Sequence, residues 1–453
     1  MAGSDVEGAQ SCGRLRIITQ KGLVMKAAAR SKWENFFWIL TILAGTTSAR
    51  VHGAPYQVVR LGDLGVNSSG VASSAALDIN SAGDVVGRST KYSVGANLGD
   101  RAVLWPAGQT TPIELGLIGA TSNGASMSQA LSINAFGDIV GSAHKYVFDS
   151  DQGEYGVLWP RGQLTASVLG TLNNARTIAS AINASGQIVG TSLKSSQDYG
   201  VRWPPGQTVP TQLGNLGMLQ GFSETNAFDV NDSGDAVGSS TKYSPGYGGV
   251  RAVRWAAGQI AAIELSNLGV NSASFTNSTA WAINGAGDIV GSAGKFSGDT
   301  PLGSRAVRWD SGQTAALELG TLGTNSAGVT SSNALDINSA GLIVGFAEVY
   351  AGDADLGSHA TIWLPGQTAA IDLNSLIDPN SGWVLQRANA INDAGTIAGE
   401  GLYDPDGAGP TPAQQLAFRI DGVPEPSLLT LLGLTLILPA RRSRRKSGRS
   451  RAA

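Results

Sequence analysis

Apolar residues in this chain come in short bursts separated by turn residues. Leu77 and Ile79 alternate with small or polar neighbours, Asn80 to Gly83 supplies a turn with a glycine able to take positive φ, and Val85-Val86 resumes an extended run. A second hairpin follows: Ala102-Val103-Leu104-Trp105, the turn Pro106-Ala107-Gly108-Gln109, then Ile113-Glu114-Leu115. The pattern predicts four short strands in a unit of about 50 residues, the size of a propeller blade.

That unit repeats. The phrase Ala-Leu-Asp-Ile-Asn-Ser-Ala-Gly-Asp-Val-Val-Gly recurs with its Asn at 80, 134, 183, 231, 284, 338 and 392, each followed by Gly three and seven residues later. The Trp of the second hairpin recurs at 105, 159, 203, 255, 309 and 363, with Phe418 in the seventh place. A third phrase, Glu-Leu-Gly-Thr-Leu-Gly at 318 to 323, has relatives at 114, 168, 212, 264 and 371. The seventh copy ends at Phe418-Arg419-Ile420-Asp421 without this last phrase, whereas Val59-Arg60-Leu61-Gly62-Asp63-Leu64-Gly65 stands alone ahead of the first copy. Donating that strand to the last unit completes all seven and removes two open sheet edges. The fold predicted is therefore all-β: a seven-bladed β-propeller of four-stranded repeats closed by the N-terminal strand, with a β-solenoid or two-part array as the alternative. Residues 55–422 would form it, flanked by 1–54 and 423–453.

Composition adds exclusions. With 42% hydrophobic and 14% charged residues the chain is too apolar for a disordered protein and too poor in bases for a nucleic-acid binder. The ends hold 14 of the 31 Lys and Arg but three of the 34 Asp and Glu. The stretch from Pro55 to Pro426 thus carries 17 bases against 31 acids, a formal charge of −14.

The ends read as addresses. Lys26, Arg30 and Lys32 precede the apolar run Phe36 to Ala44, and the small residues Thr47, Ser48 and Ala49 follow, the order of a secretory signal too short to remain as a membrane span. Met25 offers an alternative start, which would remove Cys12, the one cysteine. At the other end Val423-Pro424-Glu425-Pro426 is followed by an apolar run from Leu428 to Leu438 and by Arg441-Arg442-Ser443-Arg444-Arg445-Lys446. This tripartite tail resembles the PEP-CTERM sorting signal of Gram-negative bacteria. The resemblance implies recognition by a membrane-embedded exosortase, transient membrane association, removal of the tail, and delivery to the cell surface or its polysaccharide matrix. An ordinary membrane anchor is the plainer reading. The stretch from Tyr56 to Gly422 is similar to the HAF-repeat family of bacterial extracellular proteins. It departs from that family at the naming tripeptide, which reads Arg-Ala-Val at 101, 251 and 305, His-Ala-Thr at 359 and Leu-Ala-Phe at 416.

Catalytic chemistry is hard to assemble from these residues. His52, His144 and His359 lie apart in sequence, and there is no Gly-x-Ser-x-Gly elbow and no phosphate-binding Gly-x-x-x-x-Gly-Lys loop, so neither a catalytic residue nor a cofactor is predicted. Asp78 to Asp84 spaces oxygens somewhat like the start of a Ca²⁺ loop but lacks its later ligands. A turn-forming Asn explains the pattern and no metal site is assigned; Asp229, Asn231, Asp232 and Asp235 form the densest variant. Turns of fixed length must share one end of the sheets. The variable connections, Ser89 to Asp100, Thr121 to Gln129 and Ser142 to Tyr155 among them, share the other, where binding function concentrates. Eleven residues after the repeat Asn stands Lys91, Lys145, Lys194, Lys242 or Lys295, and an aromatic follows at Tyr92, Tyr146, Tyr243, Phe296 or Tyr350. Rings presented there would stack on sugar faces, with lysines facing acidic polysaccharide; the plainer reading has each ring capping its blade. The expectation is a non-enzymatic, exported surface or matrix protein that binds exopolysaccharide or surface partners. A secreted lyase or glycosidase and a purely structural surface-layer component are the alternatives.

Overall fold

The computed structural model describes residues 56–422, apart from 173–175, 195–196, 244–245, 408 and 410. The export and sorting segments, with Pro424, Glu425, Pro426, Arg441 and Arg442, lie outside the described residues. Seven four-stranded antiparallel sheets are arranged in a ring, and the one helical element among the described residues is a 3-10 turn, Leu373–Leu376. In the first blade the strands run Ser74–Ile79, Val85–Ser93, Ala96–Trp105 and Ile113–Glu114. The innermost strands of the other six are Ser128–Ile133, Arg176–Ile182, Thr225–Val230, Ser278–Ile283, Ser332–Ile337 and Trp383–Ile391, and each contacts the next around the axis, the last touching the first.

Closure follows the phase of the repeat. Val58–Arg60 pairs with Gln414–Ile420 as the outer strand of the last blade, in the register Val58 to Ile420 and Arg60 to Phe418. Leu61 behind it is fully buried among Trp105, Val103 and Ala417, so this strand belongs to the interface between the last blade and the first.

The apolar core is divided among seven blade-to-blade interfaces. One cluster combines Val237, Ala252 and Leu265 of the fourth blade with Ile283, Ile289, Val307 and Trp309 of the fifth, and the others repeat this plan. Both faces of a blade are therefore covered, which is why Val85, Val86, Ala102 and Val103 are all fully buried although they alternate in direction. The third repeat phrase makes the latch. The carbonyl of Gly62 accepts the indole N–H of Trp105 at 3.0 Å, and the same bond joins Trp159 to Gly116, Trp203 to Gly170, Trp255 to Gly214, Trp309 to Ser266 and Trp363 to Gly320. Each of these six Trp residues thus has its polar edge satisfied by the preceding blade.

Both repeat glycines have a mechanical cause. The first, such as Gly83 at φ +90°, closes the turn in the left-handed region. The second faces a bulge on the innermost strand, where the register slips between Ala76 and Asp78 with Leu77 as the extra residue. A Cβ on Gly87 would lie 2.0 Å from the carbonyl oxygen of Ala75, and the same clash recurs in the other six blades.

One expectation needs correction. Ser89 to Asp100 and Ser142 to Tyr155 are not loops: their strands stay paired to Ser93–Ala96 and Val147–Ser150, leaving tips of two residues. Apart from a bulge at Lys91 and another at Lys145, residues on one side of these hairpins meet a partner on the other, so the length varies as ladder. Thr121 to Gln129 does contain a loop, built on Thr121 bonds to Ala125.

Candidate functional site

The repeat Asn closes one end of the axis. Asn80 Oδ1 accepts from the backbone N–H of Ala82 and Asp84, the expected turn, while its Nδ2 donates to the carbonyl of Asn134 in the next blade. Asn134, Asn183, Asn231, Asn284, Asn338 and Asn392 continue the pattern, and Asn392 donates back to Asn80 at 3.0 Å. The seven amides make an unbroken ring of hydrogen bonds, each between 2.9 and 3.3 Å. Two residues before these asparagines stand Asp78, Asp229 and Asp336. Each accepts from its own neighbour's N–H and from one on the following blade: Ile79 and Ile133, Val230 and Ile283, Ile337 and Ile391. Burial at the axis pushes their carboxyls up to about 7, 6 and 8. They keep some surface open to the channel while protein surrounds them on all sides. In the densest acidic turn Asp229 is held this way, Asn231 joins the ring, Asp232 accepts from Ala184 N–H and Asp235 pairs with Arg254 at 3.2 Å, so its oxygens face separate protein partners.

The bulge residues form a collar above the carboxylates: Leu77, Leu131, Ser180, Phe228, Trp281, Leu335 and Asn389, one from each innermost strand. They floor an axial cavity of about 640 Å³ that extends away from the Asn ring and is walled by Gln129, Asn226, Glu154, Asp198, Arg176 and Arg387. Phe228 and Trp281 meet in a tilted pair with centroids 4.6 Å apart. Sequence reasoning missed this site. Its one signal was the position three before the repeat Asn, where aromatic Phe228 and Trp281 replace leucine in adjacent copies.

The lysine and aromatic positions lie elsewhere, and none of them lines the axial cavity. Lys91, Lys242 and Lys295 reach Glu114, Glu264 and Glu318 on the outer strand of their own blades at 2.6, 2.7 and 2.8 Å. The same glutamates lie 3.2 to 3.6 Å from the buried Arg101, Arg251 and Arg305. Those arginines cross to the next blade and donate to the carbonyls of Ser126, Thr276 and Thr330, giving the Arg of the Arg-Ala-Val phrase an inter-blade role. The sequence carries the signal: Glu precedes the Leu of the third phrase in the three copies that have both Lys and Arg, whereas Val168 replaces it in the second. Lys145 there is exposed and has no ion-pair partner among the described residues. Lys194 falls at a position whose side chain is not described. Tyr92 is half-buried, and Tyr146 stacks on His144 at 6.4 Å. Tyr350 donates to Glu348 at 2.8 Å, and this hydrogen bond pushes the phenol up to about 12.

Tyr243 and Phe296 belong to a larger arrangement on the fourth and fifth blades. Tyr243 lies 5.8 Å from Tyr247, and Tyr247 lies 5.9 Å from Phe275. Phe275 in turn lines a groove of about 450 Å³ with Phe296, Lys295, Asn277 and Asp299. Tyr247 and Phe275 come from segments without repeat phrases and were not expected.

A family model described as a protein of unknown function (DUF3466) matches residues 220–408, less than half of the chain. No curated protein matches the sequence. Among solved structures the chain is similar to TolB from Acinetobacter baumannii, at 11% identity and TM-score 0.36 over 60% of this chain and 61% of TolB, so it spans about three fifths of that protein. YCF48 bound to a D1 peptide gives 9% and 0.44 over 83% and 98%, and the polysaccharide lyase Uly1 gives 9% and 0.41 over 83% and 94%. These values carry no argument about function.

Proposed function

We propose that the chain is a non-enzymatic propeller, exported to the cell surface or its matrix, that binds polysaccharide along the rim of the fourth and fifth blades. The observation that carries this reading is the run Tyr243, Tyr247 and Phe275 leading into the groove that Phe296 shares. Ring faces in a row suit the apolar faces of successive sugars, while Asn277 and Asp299 supply polar edges for hydroxyls. Because Lys295 is engaged by Glu318, the groove suits a neutral chain better than an acidic one. The leader and the PEP-CTERM-like tail support export, with an exosortase-type enzyme removing the tail. Three acidic groups near the axis are the strongest argument for a lyase or glycosidase, but each is tied to two backbone N–H groups.

The test is affinity electrophoresis of the purified mature protein in gels containing neutral and acidic polysaccharides, with Phe275→Ala and Phe296→Ala as variants. Retardation by a neutral polymer, lost in both folded variants, is the expected result. Reproducible chain cleavage, or retardation that ignores both substitutions, would overturn the reading. Intact mass of material from the native surface should lack both the leader and everything beyond the Pro424-Glu425-Pro426 neighbourhood; retention of the Arg-rich tail would count against sorting.

A further inference from the structure

The axial cavity has a different chemistry from the rim groove and stands independently of it. Its floor is the Phe228 and Trp281 pair with Leu77, Leu131 and Leu335. The Trp281 indole nitrogen is buried without a partner among the described residues, and the ring rather than its N–H is what the cavity meets. At about 640 Å³ the space falls within the ~300–1,000 Å³ of small-ligand sites.

The charges are unequal in availability. Asp198 and Glu154 line the wall with no hydrogen-bond or ion-pair partner among the described residues, and burial pushes the Asp198 carboxyl up, the mark of an unpaired acid. Arg387 stacks on Phe346 at 4.5 Å with its Nε 3.7 Å from Glu400, so it is already engaged. Arg176 is exposed. Two unpaired carboxylates beside two aromatic rings form a receptor for a positive charge carried on an apolar frame, since ring faces attract cations and the acids supply charge-assisted hydrogen bonds.

We propose that the axial cavity binds the end of an oligosaccharide bearing an unsubstituted amino group, the ammonium held by Asp198 and Glu154 and the sugar face resting on Phe228 and Trp281. A ligand of this kind enters end-on, with its terminal sugar against the apolar collar. The rim groove and the cavity would then read different features, one the length of a chain and the other its terminus.

Calorimetric titration of the mature protein with three probes tests this: a glucosamine trisaccharide, its fully N-acetylated counterpart and a galacturonate trisaccharide. The glucosamine probe should bind one to one and at least about 10-fold more tightly than the other two, because the alternatives leave the half-buried carboxylates unpaired or face them with like charge. Asp198→Asn with Glu154→Gln, nearly isosteric changes, should weaken it by about 10-fold or more, and Trp281→Ala should do the same while Trp281→Phe retains most of the affinity. Phe275→Ala and Phe296→Ala should leave this binding unchanged even where they abolish retention by polymer, which separates failure at the axis from failure at the rim. Equal or tighter binding of the acetylated or acidic probe, no binding of any probe to folded protein, or indifference to the Asp198 and Glu154 changes would overturn the proposal.

Discussion

Deleting Tyr56 to Gly65 from the mature protein removes one short strand yet should cost a large part of a typical domain's stability. Leu61 is fully buried at the junction of the last and first blades, and losing it forfeits roughly 1.5–3 kcal/mol of burial. Trp105 loses the Gly62 carbonyl that its indole N–H meets at 3.0 Å, and an orphaned buried donor costs about 1–3 kcal/mol. The backbone bonds Leu61 to Ala417 and Gly62 to Thr110 go with them, as does the pairing of Val58–Arg60 with the last blade. The first two losses alone reach roughly 2.5–6 kcal/mol, against a net stability of about 5–15 kcal/mol. Thermal unfolding followed by circular dichroism should show a drop of roughly 3–8 °C or more, or aggregation on purification. Leu61→Ala and its mid-ring equivalent Leu213→Ala, both filling fully buried positions, should each cost about 2–5 kcal/mol and match one another closely. A deletion variant melting within about 1 °C of the parent, less than half the shift expected for a loss of about 2.5 kcal/mol in a domain of this size, would refute the view that this strand clasps the ring.

Gly238→Ala would place a Cβ 1.9 Å from the Asn226 carbonyl oxygen, so urea unfolding should show a loss of about 3 kcal/mol or more, whereas Gly285→Ala, with open space around it, should stay within about 0.5 kcal/mol. Asp78, Asp229 and Asp336 hold their protons more tightly folded, at about 7, 6 and 8, than at the ordinary 3.8 of the unfolded chain. Their contribution to stability is therefore fully present below about pH 4 and lost as pH rises through 6 to 8. Denaturation midpoints across that range should fall with pH, and Asp336→Asn should flatten the slope; a midpoint that climbs from pH 5 to 8 and ignores the substitution would contradict this sign.

How much of this was legible beforehand varies with the distance between the residues involved. The strand pairs Ser74–Ile79 with Val85–Ser93 and Ala96–Trp105 with Ile113–Glu114 join neighbours along the chain, so alternation and turn residues predict them. The number of blades follows from the copies, and the closing strand follows from the offset between the lone Leu61 phrase and the truncated seventh copy. The arginine and glutamate pairs were legible in principle, because Arg101, Arg251 and Arg305 stand in the same repeats as Glu114, Glu264 and Glu318.

Tertiary structure alone decided what the shared residues do for the next blade and what the unshared ones build. A periodic sequence shows that Asn80 starts a turn, but its Nδ2 finds Asn134 only once two sheets are stacked. Gly87 looks like one more strand glycine until the bulge at Leu77 brings the Ala75 carbonyl against it. The axial cavity was the least visible feature of all. Comparing repeats reveals what the copies have in common, whereas the cavity is lined where they differ, at Ser180, Phe228, Trp281 and Asn389, side chains that meet because a ring of seven sheets turns one position from each copy toward a single axis.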